Sequence, residues 1–157
     1  MATETKRVIK LKVEPLTAEA YAPYGALVDV GRLQLHCSDG QYTARLMELE
    51  PATPRISRIN RHFDHTQLFV PLTGDPMLLI VAPSHLSGEK FDPEQVRAFR
   101  NDGTQAFTFN VGTWHIAPRA LDGSEAKVIN VQGSRYMEHT ELIDFEELTG
   151  AAVQLEL

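Results

Sequence analysis

The sequence predicts an all-β fold of the sandwich or barrel class, and two observations carry this prediction. Short runs rich in apolar and β-branched residues follow one another closely along most of the chain. Turn-forming residues separate these runs, as in the segments 73–76, 101–103 and 122–124. Many short strands separated by Gly, Pro and Asp turns are typical of β-sandwiches and β-barrels.

The first elements are a strand and a short helix. Residues 8–13 alternate in polarity, which predicts a strand. Thr17 is a suitable N-cap for the helix that follows, because its side-chain oxygen can accept a hydrogen bond from a free backbone N–H group. Pro23 and Gly25 would end this helix.

The rest of the chain is predicted to form further strands, one long loop and a second short helix. A breaker-rich stretch from Pro83 to Gln95 predicts a surface loop with one helical turn near its end. The acidic tail predicts a second short helix from Glu141 to Leu148. The further strands are predicted at 42–49, 55–61, 67–72, 77–82, 96–100, 105–110, 113–117 and 127–132.

Length and composition indicate one globular domain over residues 1–157. Of the 157 residues, 43% are hydrophobic and 23% are charged, which is ordinary for a globular protein. The net charge of −6 argues against a broad basic surface for nucleic acid, although a few converging arginines could still bind a small anion.

The sequence also predicts where the protein acts. No apolar run approaches the roughly 20 residues of a membrane-spanning helix, and the first residues contain no apolar core of a signal peptide. The only cysteine, Cys37, cannot form an internal disulfide. We therefore expect a cytoplasmic protein without membrane or nucleic-acid partners.

The first of two informative segments extends from Asn60 to Gly74. It resembles the first conserved motif of cupins, which are small double-sheet β-barrels. That motif reads His-x-His, three or four residues, Glu, six residues, Gly. Gln67 and Gly74 have the Glu-to-Gly spacing, His62 has the position of the second His, and Asn60 has that of the first.

The second segment extends from Asn101 to Pro118 and resembles the second cupin motif, Pro-x-Gly-x-x-His-x-x-x-Asn. Gly112 and His115 match it, whereas Asn110 replaces the Pro and Arg119 replaces the final Asn. The resemblance implies a cupin fold, that is, a double-stranded β-helix or jelly-roll barrel, with one or two short peripheral helices.

Strand geometry predicts that the two segments meet. Alternate residues of a strand face one way, so Asn60 and His62 project to the same side. In a small barrel, the inward side chains of neighbouring strands converge, so His62, Gln67 and His115 could come together. They are candidate metal ligands for a divalent ion such as Ni or Mn. Because Gln67 is neutral and Asn60 is a poor ligand, we expect weak metal binding or none.

Read together, the segments resemble the ureidoglycolate lyase family, a cupin branch of purine and allantoin catabolism. That family has a Glu-Arg-His-Pro…Gln-x-Phe-x-Pro segment, an Arg-Ala-Phe strand, an Asn-Gly-x-Gln turn and a Trp-His pair. The similarity extends from about residue 10 to 148. The matching residues are Arg61, His62, Gln67, Phe69, Pro71, Arg97, Ala98, Phe99, Gly103, Gln105, Trp114 and His115.

The chain departs from this family pattern at four positions, as a divergent member would. Asn60 replaces the family's Glu, Phe63 its Pro, Asn110 a His and Ile116 another His. Two alternatives therefore stay open. One is a different cupin lyase, isomerase or decarboxylase acting on another small hydroxy- or keto-acid, and the other is a non-catalytic cupin that binds a small molecule.

The resemblance implies an amidine-type C–N lyase that cleaves ureidoglycolate, a small carboxylate, to glyoxylate and urea. Such a reaction needs a base near the substrate hydroxyl and a donor for the leaving nitrogen. The catalytic candidates are His62 and His115, because histidine titrates near neutral pH, with Gln67 orienting the substrate.

The carboxylate of this substrate needs a cationic or amide clamp. Arg45 is a further candidate for this clamp, although the sequence does not place it. His65 is interpreted as a surface or turn residue. The candidates for substrate binding are Asn60, Arg61, Asn110, Trp114 and Arg119.

We also expect a homodimer, in which a partner covers strand edges.

Overall fold

The computed structural model describes residues 4–5, 7–29 and 31–157. It confirms the predicted all-β fold. The two helices, α1 and α2, span Ala18–Tyr21 and Phe145–Thr149. Single 3₁₀ turns lie at Pro93–Gln95 and Tyr136–His139. The strands are β1 (Arg7–Pro15), β2 (Tyr42–Glu48), β3 (Arg55–Ile56), β4 (Arg58–His62), β5 (Gln67–Pro71), β6 (Met77–Ala82), β7 (Arg97–Asn101), β8 (Phe107–Phe109), β9 (Trp114–His115), β10 (Arg119–Ala120), β11 (Lys127–Gly133), β12 (Thr140–Asp144) and β13 (Ala151–Glu156).

The strands form two sheets. The larger sheet has the order β12-β4-β9-β6-β7-β1-β13-β3, with β10 paired beside β6. The smaller sheet has the order β2-β11-β5-β8. Most neighbours are antiparallel, but β1 runs parallel to both β7 and β13. These strand orders place some consecutive strands, such as β4 and β5, in different sheets.

Strand β6 explains how the core is divided. All six of its residues are apolar and buried, so the strand is covered on both faces. Met77, Leu79 and Val81 pack between the two sheets with the aromatic residues of β8. Leu78 and Ile80 pack on the opposite face of the larger sheet, in a second cluster that is covered by α2 and the loop after β6.

The N-terminal elements agree with the prediction. β1 contains the predicted strand 8–13, and α1 follows Thr17 directly. The Thr17 hydroxyl accepts a hydrogen bond from the Ala20 backbone N–H at 3.2 Å, which is the expected N-cap contact. The helical turn predicted near the end of the loop 83–95 is the 3₁₀ turn Pro93–Gln95, which Asp92 caps.

The predicted strand 55–61 is divided in two. Strand β3 pairs with β13, whereas β4 pairs with both β12 and β9. The division places the two halves against different partners within the same sheet, a long-range arrangement that the local apolar pattern does not encode.

The prediction for the tail is wrong in part. Residues predicted as a helix from 141 onward form β12 first, because this segment pairs with β4 in a continuous ladder. The helix is limited to α2, where the Asp144 side chain accepts a hydrogen bond from the Glu147 N–H at 3.1 Å. Gly150 ends α2 in the left-handed conformation, with a φ of 73°. Strand β13 follows, which the sequence analysis did not predict.

Among the described residues, no helix is long and apolar enough to cross a membrane.

Candidate active site

Three predicted site residues lie at strand ends. His62 ends β4, Gln67 begins β5 and His115 ends β9. His115 is paired with Val81, which belongs to the core between the sheets, so its ring faces the interior of the fold. The rings of His62 and His115 lie 5.0 Å apart between centroids. His62, Gln67 and His115 are all buried, with exposed fractions of 7%, 6% and 3%.

A third histidine completes this cluster, and the interpretation of His65 as a surface residue is wrong. Its exposed fraction is 1%, and its ring stacks on that of His62 at 4.8 Å. His65 precedes Gln67 by two residues, so extending the alternation of β5 backward would have placed both on one face. We call His62, His65, His115 and Gln67 the histidine cluster.

A hydroxyl group fixes the orientation of His62. The Thr140 hydroxyl donates its hydrogen to the Tyr136 carbonyl oxygen, so it acts as an acceptor for His62. His62 Nδ1 lies 2.8 Å from this hydroxyl and is therefore the nitrogen that carries the proton. Nε2 of His62 then carries the lone pair, and the Gln67 side chain lies beside this ring.

The other two imidazoles are held in the same way. His65 Nδ1 donates to Asp64 Oδ1 at 2.7 Å, and His115 Nδ1 donates to the Thr113 carbonyl oxygen at 2.9 Å. In each neutral ring, Nε2 is then an acceptor. The three histidines of the cluster thus share one tautomer.

The amide group of Gln67 is also fixed. Its Nε2 donates to Asn130 Oδ1 at 3.0 Å and to Gln132 Oε1 at 3.1 Å, so both amide hydrogens are used within the smaller sheet. Asn130 and Gln132 lie on β11, next to β5, and the sequence analysis did not identify them. Their contacts turn the Gln67 carbonyl oxygen away from β11.

Two buried atoms of the cluster lack hydrogen-bond partners. Within the described part of the chain, they are His65 Nε2 and Gln67 Oε1. Both are acceptors, and buried acceptors without a donor are rare in folded proteins. The cluster therefore offers lone pairs to a ligand that brings N–H or O–H groups.

Burial keeps His62 and His115 uncharged at neutral pH. It lowers the pKa of His62 to about 4, and the neighbouring His65 contributes to the decrease. Burial also lowers the pKa of His115 to about 3, with a smaller contribution from His62. At neutral pH both rings are therefore neutral and can accept a proton at Nε2.

Asn60 pairs with His115 and lies on the face of β4 that carries His62, as strand alternation predicts, whereas Asn110 lies elsewhere. Asn60 Nδ2 donates to the His115 carbonyl oxygen at 3.1 Å, which fastens β4 to β9. Asn110 is exposed, and its backbone N–H donates to the Tyr24 carbonyl oxygen at 2.8 Å. Asn60 thus positions the strand that carries His115, whereas Asn110 belongs to a turn.

The other substrate-binding candidates lie on the opposite face of the larger sheet. Arg61 points away from His62, and its guanidinium carbon lies 4.3 Å from the Trp114 ring centroid. Trp114 is fully buried in the outer core cluster. Arg119 is paired with Leu78, which belongs to the same outer cluster. The structure therefore does not bring these three residues to the histidines.

The arrangement of the candidate ligands does not fit a tightly held metal ion. His62, Gln67 and His115 supply two imidazoles and a neutral amide oxygen, and His65 adds a third imidazole beside them. The Asp64 carboxylate is directed to His65 instead. In the described residues, no three His, Cys, Asp or Glu side chains are arranged to hold a metal. We therefore derive the chemistry from the side chains alone.

Two facing β-sheets with a buried histidine cluster at their strand ends define a cupin. The ureidoglycolate lyase family matches residues 40–152, a segment that includes the whole cluster. The chain belongs to this family. A ureidoglycolate lyase from Azotobacter vinelandii is 32% identical over 146 residues, which cover 79% of this chain and 86% of that protein.

A second relative, a ureidoglycolate lyase from Pseudomonas aeruginosa, is 33% identical over 126 residues, which cover 67% of this chain and 73% of that protein. The solved structure of a dTDP sugar isomerase from Desulfovibrio desulfuricans G20 aligns with a TM-score of 0.45 and 17% identity. This alignment covers 73% of the present chain and 68% of the isomerase.

Proposed function

We propose that this protein is a lyase that cleaves ureidoglycolate to glyoxylate and urea. The observation that carries the proposal is that the segment shared with the ureidoglycolate lyase family, residues 40–152, contains every member of the histidine cluster. Both relatives described above bear the name of this activity. The family's role also suggests that the protein takes part in the catabolism of allantoin and purines.

The imidazoles of His62 and His115 are neutral at pH 7 and can act as bases in this cleavage, although burial makes them weaker bases than a free histidine. Ureidoglycolate carries a hydroxyl group and a urea nitrogen on one carbon. Nε2 of His62 or His115 removes the hydroxyl proton, and the O–H electron pair forms the aldehyde C=O bond. The C–N bond breaks, its electron pair goes to nitrogen, and the imidazolium returns the proton there. A positioned acid or base of this kind contributes a factor of about 10²–10⁴ to a rate.

Arg45 is the arginine best placed to hold the substrate carboxylate. It lies on β2 directly opposite Asn130, so it shares the face of the smaller sheet that carries Gln67. Within the described part of the chain, no hydrogen bond or ion pair engages its guanidinium, and the side chain is exposed. A guanidinium can bind a carboxylate through two parallel hydrogen bonds.

The outer face of the smaller sheet supports the expected homodimer. Its central side chains are apolar and Leu46 is 57% exposed, while Glu48 and Lys127 lie at one end of the same face. β2 is an edge strand of this sheet, and a second copy would cover both the edge and the face. Light scattering should show a dimer that Leu46→Asp converts to a monomer, and a monomeric wild type would contradict this assignment. The apolar residues at the centre of this face are Ala44, Leu46, Leu68, Val70, Ile129 and Val131.

We also propose that the protein acts in the cytoplasm. The single cysteine, Cys37, has no disulfide partner within the chain, which suits a reducing compartment. The substrate itself is a small water-soluble carboxylate.

The direct test is to measure urea and glyoxylate from racemic ureidoglycolate. We expect both products in equal amounts, above the spontaneous rate, from the wild type and from the exposed-site control His85→Gln. His62→Gln should reduce the enzymatic rate by about 100-fold or more. A folded wild-type protein that releases no urea above background would contradict the proposed function.

A further inference from the structure

The two unpartnered acceptors of the cluster call for a specific kind of ligand. His65 Nε2 and Gln67 Oε1 are both enclosed, and neither receives a hydrogen bond within the described residues. Each belongs to a side chain whose remaining polar atoms are fully used. Their orientation is therefore imposed by the fold, and what is missing is a donor.

Asp64 imposes the orientation of His65. Its Oδ1 accepts from His65 Nδ1 at 2.7 Å, and Ser38 Oγ and His139 Nε2 lie 3.4 and 3.6 Å from its Oδ2. Gly133 leaves room for the imidazole, because a Cβ there would meet His65 Nδ1 at 2.9 Å. The ring is fixed by contacts on three sides, and its lone pair is directed away from the carboxylate.

Two hydrogen bonds within the smaller sheet hold the Gln67 side chain. Because Asn130 and Gln132 take both of its amide hydrogens, its oxygen cannot exchange places with its nitrogen without losing two hydrogen bonds. The two side chains thus contribute one imidazole acceptor and one carbonyl acceptor to the cluster. A primary amide or ureido group has the complementary chemistry, since it carries N–H donors and no charge.

We propose that His65 and Gln67 form the subsite that receives the ureido N–H groups of the substrate. This inference rests on the proposed function, because it assigns one end of ureidoglycolate to a place in the same site. Arg45 would then hold the carboxylate at the other end. The subsite selects substrates by their donors, and a hydroxy-acid without an amide leaves both acceptors unpaired, which is costly in a buried site.

One segment next to this subsite is the turn that contains Tyr136. Tyr136 lies edge-on to His62, with ring centroids 6.2 Å apart, and belongs to the exposed 3₁₀ turn Tyr136–His139. The hydroxyl of Thr140 connects this turn to His62.

The test uses urea as the probe in assays of glyoxylate release. We expect urea to inhibit the wild type in competition with substrate, and glycolate, which has the carboxylate end alone, to do the same. His65→Phe keeps an aromatic ring on His62 but lacks the acceptor, so its inhibition constant for urea should rise at least tenfold while that for glycolate stays within twofold. His65→Gln restores an acceptor and should recover most of the urea inhibition.

Nuclear magnetic resonance gives a second readout that does not depend on turnover. The ¹⁵N resonance of His65 Nε2 should shift on addition of urea, in the direction expected for a nitrogen that accepts a hydrogen bond. If urea neither inhibits nor shifts this resonance, the two acceptors hold only a buried water and the inference is overturned. Equal urea inhibition of the wild type and His65→Phe would overturn it as well.

The two proposals fail in different ways. A wild-type protein without lyase activity whose His65 resonance still responds to urea would overturn the proposed function and support the ureido subsite. An active wild type that urea does not inhibit, and whose His65 resonance urea does not shift, would support the proposed function and overturn the ureido subsite. His85→Gln, in an exposed loop, should behave as the wild type in both measurements.

Discussion

The consecutive residues Arg61 and His62 belong to two polar sites of opposite character. On the outer face of β4, Arg61 donates to Glu141 Oε2 at 2.9 Å and to the carbonyl oxygens of Ser84 and Leu86 at 3.1 Å each. On the inner face, His62 belongs to a cluster in which two buried acceptors are unpaired. The outer contacts join three segments of the chain, so they serve the fold. The inner cluster keeps lone pairs available, so it serves a ligand.

Breaking the inner site should have the largest effect, and it should fall on catalysis. His115→Gln removes an imidazole base while keeping a polar side chain of similar size. The turnover number should decrease by about 100-fold or more, because a positioned base contributes a factor of that order. The check is a steady-state assay of glyoxylate release with a parallel thermal unfolding curve. Retention of more than a tenth of the wild-type turnover would argue against a catalytic His115.

Breaking the outer site should instead reduce stability. Arg61→Met removes the charge and leaves Glu141 and two carbonyl oxygens without their donor. The free energy of unfolding should fall by about 2–4 kcal/mol, as for other broken ion pairs with little exposure. Turnover per folded molecule should stay within about twofold of the wild type. Denaturant unfolding of the matched variants Arg61→Met and His115→Gln compares their losses of stability. A large loss of turnover in Arg61→Met would contradict the assignment of the outer face to stability alone.

The inner site should also make stability depend on pH. The folded-state pKa values of His62 and His115 are lowered to about 4 and about 3, whereas an unfolded chain binds protons below about 6.5. Stability is therefore fully present above pH 6.5 and is lost as the pH falls toward 4. Between pH 7 and pH 5 each histidine should cost about 1–2 kcal/mol. Unfolding curves of the wild type and of His62→Gln at both pH values test this, since the variant should lose less.

The smallest effect is expected at the edge of the inner face. Arg45→Gln removes the proposed carboxylate clamp from an exposed position, so the KM for ureidoglycolate should rise about fivefold with little change in turnover number. The exposed arginine Arg32 offers a matched control, Arg32→Gln. An unchanged KM in the Arg45 variant would assign the clamp to another group.

Much of the fold could be predicted from local pattern, and the tail could not. Alternation and turn residues were sufficient for most strands, because each strand has one face in a core. Strand β12 was missed because its pairing with β4 comes from a distant part of the chain. Its acidic residues favoured a helix locally, and the ladder with β4 overrides that preference.

The candidate site, like the fold, could be predicted only in part from local sequence patterns. Strand alternation in a small barrel was enough to predict that His62 and His115 would approach each other, whereas the candidate Arg61 lies on the opposite face, against Trp114. The roles of Asn130 and Thr140 depend on the pairing of β11 with β5 and of β12 with β4, which no local motif encodes. His65 was missed because the turn-like residues before Gln67 concealed the inward direction of its side chain.

The double burial of β6 has a consequence for motions of the molecule. This strand is paired with β7 on one side and with β9 and β10 on the other, and its side chains reach both cores. Its amide hydrogens should therefore exchange with solvent deuterium only when the whole molecule unfolds. His115 is attached to this slowest-exchanging strand, whereas Tyr136 lies on an exposed turn. The amide hydrogens at the floor of the site should therefore exchange more slowly than those of the turn beside it.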